Sequence, residues 1–169
     1  MKNIVLVGFM GTGKTAVAKA LSKALKFKYV STDELIEARE GMPISDIFAK
    51  KGEPYFRDIE TQVAKEASAM SDVVIDAGGG IVIRDENVAA LKKNGILVCL
   101  TASPDSILAR TRRLKTRPLL NVKDPKAKIE ELLKARASFY AKADYQIDTS
   151  KLSVSDVAAE IIRKRHCPA

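Results

Sequence analysis

The segment Gly8-Phe9-Met10-Gly11-Thr12-Gly13-Lys14-Thr15 limits what this chain can be more than any other, because it completes the pattern G-x-x-x-x-G-K-[ST]. It follows the apolar, β-branched run Asn3 to Val7 and precedes Ala16, Val17, Ala20, Leu21, Ala24 and Leu25, which recur at helical spacing. Strand, glycine loop and helix in that order let backbone N–H groups wrap a phosphate, and the helix start adds partial positive charge. In this setting the lysine reaches the outer phosphates and the hydroxyl of Thr15 ligates Mg²⁺. Background glycine usage of roughly 7% would give such a match by chance in about one chain in a hundred of this length.

A phosphate loop needs a sheet to stand on, and the chain supplies one. Continuous apolar runs at Asn3 to Val7, Asp72 to Ala77 and Ile96 to Thr101, with weaker ones at Phe27 to Ser31 and Tyr145 to Ile147, suit strands buried on both faces. Helical patterns begin near Lys14, Asp33, Ile44, Pro54, Asp85, Pro104, Pro125 and Ser153. The alternation predicts an α/β layered fold with right-handed crossovers. With 169 residues, one domain covering 1–169 is expected. Two intervals exceed plain connections. Residues from Asp33 onward hold several helices between the second and third strands, room for a helical insertion. The second interval, from Arg110, carries eight basic residues up to Lys128 against the single acid Asp124, and so accounts for +7 of the chain's +8. So local an excess suits a small phosphate compound rather than nucleic acid, and the segment has the character of a mobile lid. No apolar run is long enough to span a bilayer and no cleavage-site pattern precedes the glycine loop, so a cytoplasmic protein with no membrane partner is expected. Cys99 and Cys167 have neither metal-ligand nor disulfide spacing.

Other positions narrow the chemistry. Asp76-Ala77-Gly78-Gly79 matches the D-x-x-G of GTPases, but the guanine-reading N-K-x-D is absent. Instead, Gly78, Gly79 and Gly80 stand together at the carboxyl end of a buried strand, where ligands of open α/β sheets collect and the lack of side chains admits a substrate. Asp76, ending that strand, can hold a Mg²⁺-bound water opposite the Thr15 hydroxyl. Arg57 and Glu60 lie three apart on a helix, so the carboxylate can fix the guanidinium for bidentate work. Arg136 and Tyr140 lie one helical turn apart after the basic segment.

Taken together these residues resemble the shikimate kinase family over nearly the whole chain. The resemblance rests on G-F-M-G-T-G-K-T at Gly8 to Thr15, Asp33 followed by Ile36 and Glu37, and I-F-x-x-x-G-E-x-x-F-R-x-x-E at Ile47 to Glu60. It continues through G-G-G at Gly78 to Gly80, R-P-L-L at Arg117 to Leu120 and R-x-x-x-Y at Arg136 to Tyr140. It implies the three-layer P-loop kinase fold: a five-stranded parallel sheet flanked by helices, with a substrate-binding insertion at about 33–60 and a lid at about 110–125. It implies phosphoryl transfer from ATP to the 3-hydroxyl of shikimate, on the route to aromatic amino acids, with Mg²⁺ as cofactor and a monomer as the expected state. Carried over position by position, Gly11, Thr12, Gly13, Lys14, Thr15 and Ala16 would bind ATP together with Arg110, which would lie along adenine opposite the Ser150 to Ser153 loop. Asp33 would orient or deprotonate the attacking hydroxyl. Arg57 and Arg136 would clamp the carboxylate, and Gly78, Gly79 and Gly80 would offer backbone to the substrate. Lys14, Asp33 and Arg117 form the expected catalytic set, with Arg117 brought in by the lid to neutralise developing charge.

One position departs from the family. Where relatives carry D-x-D after the second strand, this chain reads Ser31-Thr32-Asp33. The expected cation ligand is Thr15, with Asp76 or Ser31 acting through water, and Asp76 would supply the charge absent at 31. Another small-metabolite kinase of the same fold group, or a non-catalytic nucleotide-binding relative, are the alternatives the sequence leaves open.

Overall fold

The computed structural model describes residues 2–112 and 122–165. Five parallel strands, β1 (Asn3–Gly8), β2 (Lys28–Ser31), β3 (Val73–Asp76), β4 (Gly95–Thr101) and β5 (Tyr145–Asp148), form one sheet in the order β2-β3-β1-β4-β5. Among the described residues the helices are α1 (Lys14–Leu25), α2 (Thr32–Glu40), α3 (Ile44–Ala69), α4 (Asp85–Asn94), α5 (Pro104–Thr111), α6 (Pro125–Tyr140) and α7 (Val154–Arg165), with a short 3₁₀ turn at Ile81–Ile83.

Side-chain alternation along the central strands sends apolar residues into both helical layers, which is why these strands read as unbroken hydrophobic runs. Ile4 and Leu6 of β1 join Val17, Leu21, Val157 and Ile161 under α1 and α7. Val5 and Val7 face the other way, toward Ala64, Val88, Leu91 and Ile129 from α3, α4 and α6. Cys99 belongs to this second layer, and burial pushes its thiol up to about 12, so it behaves as an apolar side chain. A separate small core of Ile36, Ile47, Phe56, Ile59 and Val63 joins α2 to α3.

The expected pair of helices beginning near Ile44 and Pro54 is one long element broken at Gly52, whose φ of 82° and ψ of 168° leave the helical region. Only glycine adopts that conformation cheaply, and Pro54 then opens the second segment with its fixed φ. Past the turn, Ala64 and Ala67 pack against the sheet, while Ile47 before it packs with Ile36 of α2.

Strand order reverses around β1, with β3 on one side and β4 on the other. The carboxyl ends of β1 and β3 therefore border the crevice where this architecture takes ligands. Both glycine segments, 8–13 and 78–80, emerge there. Gly8 is required by crowding: a Cβ at that position would lie 2.2 Å from the carbonyl oxygen of Leu100 in β4.

Candidate active site

Helices α2, α5 and α6 each begin with a side chain that accepts a hydrogen bond from a first-turn N–H: Ser31, Ser103 and Asp124. Helix α1 does not. Its N-cap is Gly13, left-handed at φ 95°, with no capping side chain, so the unsatisfied N–H groups of the first turn open toward the crevice. The loop before it is braced internally: Thr12 is buried and its hydroxyl donates to the carbonyl of Phe9 at 2.8 Å. Any contact Thr12 offers a ligand must therefore come from its backbone. Lys14 Nζ donates to the carbonyls of Gly8 and Phe9 at 2.9 and 3.1 Å, arching across the loop it belongs to.

The crevice is a cleft of about 530 Å³ with the phosphate loop and Asp76 on one wall and Asp33, Gly78, Gly79, Gly80 and Arg136 on the other. The second glycine segment organises this second wall by close approach. A Cβ on Gly78 would lie 2.8 Å from Asp33 Oδ1 and 3.3 Å from Glu60 Oε1; one on Gly80 would lie 2.5 Å from Arg57 Nη1. At Gly79 it would meet the Gly8 carbonyl at 3.0 Å, with Arg136 Nη1 at 3.7 Å. Three consecutive glycines are thus what allows Asp33, Arg57 and Arg136, from α2, α3 and α6, to converge on one loop.

The two arginines are held differently. Arg57 Nη1 pairs with Glu60 at 2.6 Å and Nη2 with Glu53 at 3.3 Å. Glu60 is buried, and that burial raises its carboxyl above the ordinary value, with the charge of Arg57 pulling the other way. Arg136 makes no ion pair among the described residues; its guanidinium lies 5.7 Å from the ring centre of Phe9, a cation–π contact. One cation is pre-oriented by carboxylates, and the other borders the cleft with no carboxylate paired to it among the described residues.

Several supporting residues have roles that the sequence did not assign. Tyr140, known there only as the end of a helical R-x-x-x-Y, donates from its buried phenol to the Gly79 carbonyl at 3.1 Å, and burial raises its pKa. Thr32 Oγ1 accepts from the Gly78 N–H at 3.0 Å. Arg84 pairs with Asp58 at 2.8 Å and donates to the Arg57 carbonyl and the Thr61 hydroxyl, stapling the exit of the glycine segment to α3. Glu37, part of the sequence motif, accepts from the Ile44 N–H and so starts α3.

On the nucleotide wall Thr15 Oγ1 donates to Asp76 Oδ2 at 2.6 Å, and the Tyr29 hydroxyl donates to the same oxygen at 3.2 Å. Burial first, and then the Asp76 charge, push the Tyr29 phenol up to about 12, so it remains a protonated donor. Ser31 is opposite Asp76 in the β2–β3 register, but its hydroxyl is engaged in capping α2 through the Glu34 N–H. Arg110 spans from the phosphate loop to the turn after β5, donating to the Gly11 carbonyl at 3.2 Å and to the hydroxyl and carbonyl of Thr149 at 3.0 and 2.7 Å. Beyond Thr149, Ser150 is fixed on Asp148. Arg117 and the centre of the expected lid, 113–121, lie outside the described residues, as do His166 and Cys167.

Hard oxygen donors dominate the nucleotide wall, and among the described residues no three His, Cys, Asp or Glu side chains cluster to hold a metal. A cation here must draw most of its ligands from water and phosphate, as Mg²⁺ does. The Thr15 hydroxyl with Asp76 behind it fits that ion.

The sequence profile of the shikimate kinase family matches residues 10–165. A shikimate kinase of Thermodesulfovibrio yellowstonii is 50% identical over 164 residues, covering 97% of this chain and 95% of the relative. One of Caldanaerobacter subterraneus is 47% identical over 163 residues, covering 96% and 95%. Among solved structures, shikimate kinase from Acinetobacter baumannii in complex with shikimate superposes with a TM-score of 0.91 at 38% identity, covering 99% of this chain and 96% of that one.

Proposed function

The chain belongs to the shikimate kinase family, and from that premise we propose that its cleft transfers the terminal phosphoryl group of ATP to the 3-hydroxyl of shikimate, giving shikimate 3-phosphate and ADP. The observation that carries this reading is the convergence of Arg57 and Arg136 on Gly78 to Gly80 beside Asp33: two cations for a carboxylate and one carboxylate for hydroxyls, a phosphate loop away.

In this scheme the Asp33 carboxylate accepts the proton of the attacking hydroxyl. That oxygen forms a bond to the γ-phosphorus while the bond to the β,γ-bridging oxygen breaks, and ADP carries the electron pair away. The transition state is loose, so positioning and charge neutralisation supply most of the acceleration. Arg57 arrives already aligned by Glu60, which lowers the ordering cost of a bidentate contact with the substrate carboxylate. Arg136 supplies the second contact, and its own charge gains a partner on binding. The backbone of Gly79 and Gly80 lines the ring.

For the nucleotide, Gly11, Gly13, Ala16 and the backbone of Thr12 present N–H groups, and Lys14 swings from its own loop carbonyls to the β and γ phosphates. Thr15 would hold Mg²⁺, with Asp76 behind, and the ion would offset the charge of the phosphates. Arg110 and the turn after β5 take the adenine side. Arg117, from the lid of about 110–125, would enter on closure and stabilise the transferring group while water is excluded. Residues 33–60 act as the acceptor-binding insertion of one domain. Every assigned residue comes from one chain, so a monomer is a complete catalytic unit. No helix among the described residues is long and apolar enough to cross a membrane, and ATP as co-substrate suits the cytoplasm.

The test is Mg²⁺-dependent ADP release with shikimate, quinate, gluconate, nucleoside monophosphates or no acceptor. Release with shikimate above the no-acceptor rate, and with the new phosphate on the 3-hydroxyl, is the expected result. Equal or faster release with gluconate or a nucleotide would overturn the reading.

A further inference from the structure

Asp76 is held by more donors than the end of a strand requires. It is 7% exposed, borders the cleft, and takes both of its hydrogen bonds on one oxygen, Oδ2, from the Thr15 hydroxyl and the Tyr29 phenol. Its other oxygen accepts none among the described residues. A carboxylate pinned through one oxygen by two donors from different elements, α1 and β2, cannot rotate freely, and its second oxygen keeps a fixed aim.

The same pair of contacts fixes Thr15. A hydroxyl has one proton; by giving it to Asp76, Thr15 is left with only lone pairs for the mouth of the phosphate loop, the arrangement needed to ligate a cation. The alternatives on this wall are engaged elsewhere or point to no such contact. Ser31, across the register from Asp76, caps α2 and bonds to the Tyr29 phenol. Glu34 borders the cleft, but neither Thr15 nor Asp76 bonds to its side chain.

We propose that Tyr29 is a positioning residue of the nucleotide-side cation site: its phenol, together with the Thr15 hydroxyl, pins Asp76 Oδ2 so that Oδ1 is presented to the water shell of a divalent cation, while Ser31 supports the Tyr29 phenol from β2. Tyr29 borders the cleft, and its phenol acts on the cation through Asp76. This rests on reading the cleft as an ATP site and adds to it the residue that tunes cation affinity there.

The probe is Mn²⁺, whose free and bound forms are counted by electron paramagnetic resonance in the presence of the protein and ADP. Tyr29→Phe keeps the ring and removes the donor, and weakens Mn²⁺ binding to the ADP complex by about 3- to 10-fold, less than the full worth of a hydrogen bond to an ion because the phenol reaches the cation only through Asp76. Asp76→Ser weakens it by about 10- to 100-fold. Because 31 and 76 are register partners, Ser31→Asp in the Asp76→Ser background returns a carboxylate to the same end of the sheet and recovers part of that loss. Glu34→Gln leaves Mn²⁺ affinity unchanged. In steady state Tyr29→Phe raises the Mg²⁺ concentration for half-maximal rate with the KM for shikimate unmoved, a split that general loosening of β2 would not produce. Metal-free ADP affinity, measured alongside, confirms that the variant is folded. Unchanged Mn²⁺ affinity in Tyr29→Phe would overturn the proposal, as would an equal loss in Glu34→Gln. Absence of any ADP binding by the unmodified protein would instead defeat the underlying reading of the cleft.

Discussion

The two walls of the cleft are prepared to different degrees. On the acceptor wall the polar groups already hold the arrangement they need: Glu60 aligns Arg57, Arg84 fastens α3 to the exit of the glycine segment, and Tyr140 and Thr32 hold Gly79 and Gly78. On the nucleotide wall the main cations are turned onto the protein itself, with Lys14 on the carbonyls of Gly8 and Phe9 and Arg110 on Gly11 and Thr149. The difference follows from the ligands. A small rigid acid is recognised by few contacts and gains from preorganisation, whereas a triphosphate carries enough charge to pull flexible cations away from neutral carbonyls.

Lys14→Ala gives the largest effect and the sharpest test of this division. Loss of a cation from the transferring phosphates lowers kcat by about 10²- to 10³-fold or more, while shikimate affinity measured without nucleotide stays as in the unmodified protein. A parallel loss of shikimate affinity would merge the two walls. Next, Arg136→Ala removes the cation with no carboxylate paired to it among the described residues and raises the KM for shikimate by about 30-fold or more, with kcat for bound substrate falling less.

These first two residues were legible in the chain itself, since a glycine loop between a strand and a helix and an arginine one turn from a tyrosine are local patterns. So were the five strands, because residues buried on both faces leave unbroken β-branched runs. Even the break at Gly52 lay between two separately readable helix starts. Tyr29, Arg84 and the capping role of Ser31 were not legible. Tyr29 meets Asp76 across 47 positions of sequence, and a tyrosine in a strand looks like packing until register and strand order are known. Ser31 reads as a vacancy in an acidic motif, yet the fold uses it to begin α2.

Glu60→Gln comes third. The charge-assisted contact to Arg57 becomes a neutral one and the KM for shikimate rises by about 10-fold. It also tests the burial of this wall. The carboxyl is raised above its ordinary 4.5 in the folded protein, so the native state binds its proton more readily than the unfolded chain. The stability this provides is present below the unfolded value and is lost as pH rises through the raised native one. Denaturation midpoints between pH 4 and neutrality should therefore fall less steeply in Glu60→Gln. A steeper fall would mean that the pair with Arg57 outweighs desolvation. Arg84→Ala, acting through the Arg57 carbonyl, the Thr61 hydroxyl and Asp58, is the smallest: a few-fold rise in the KM for shikimate with kcat unchanged.

The most direct test of a prebuilt acceptor wall is calorimetric titration of shikimate into the nucleotide-free protein. The account predicts saturable one-to-one binding without ATP or Mg²⁺, abolished in Arg136→Ala and retained in Lys14→Ala. Binding that appears only after nucleotide and cation are added would contradict it, and would place the assembly of the acceptor site after, not before, the closing of the phosphate loop.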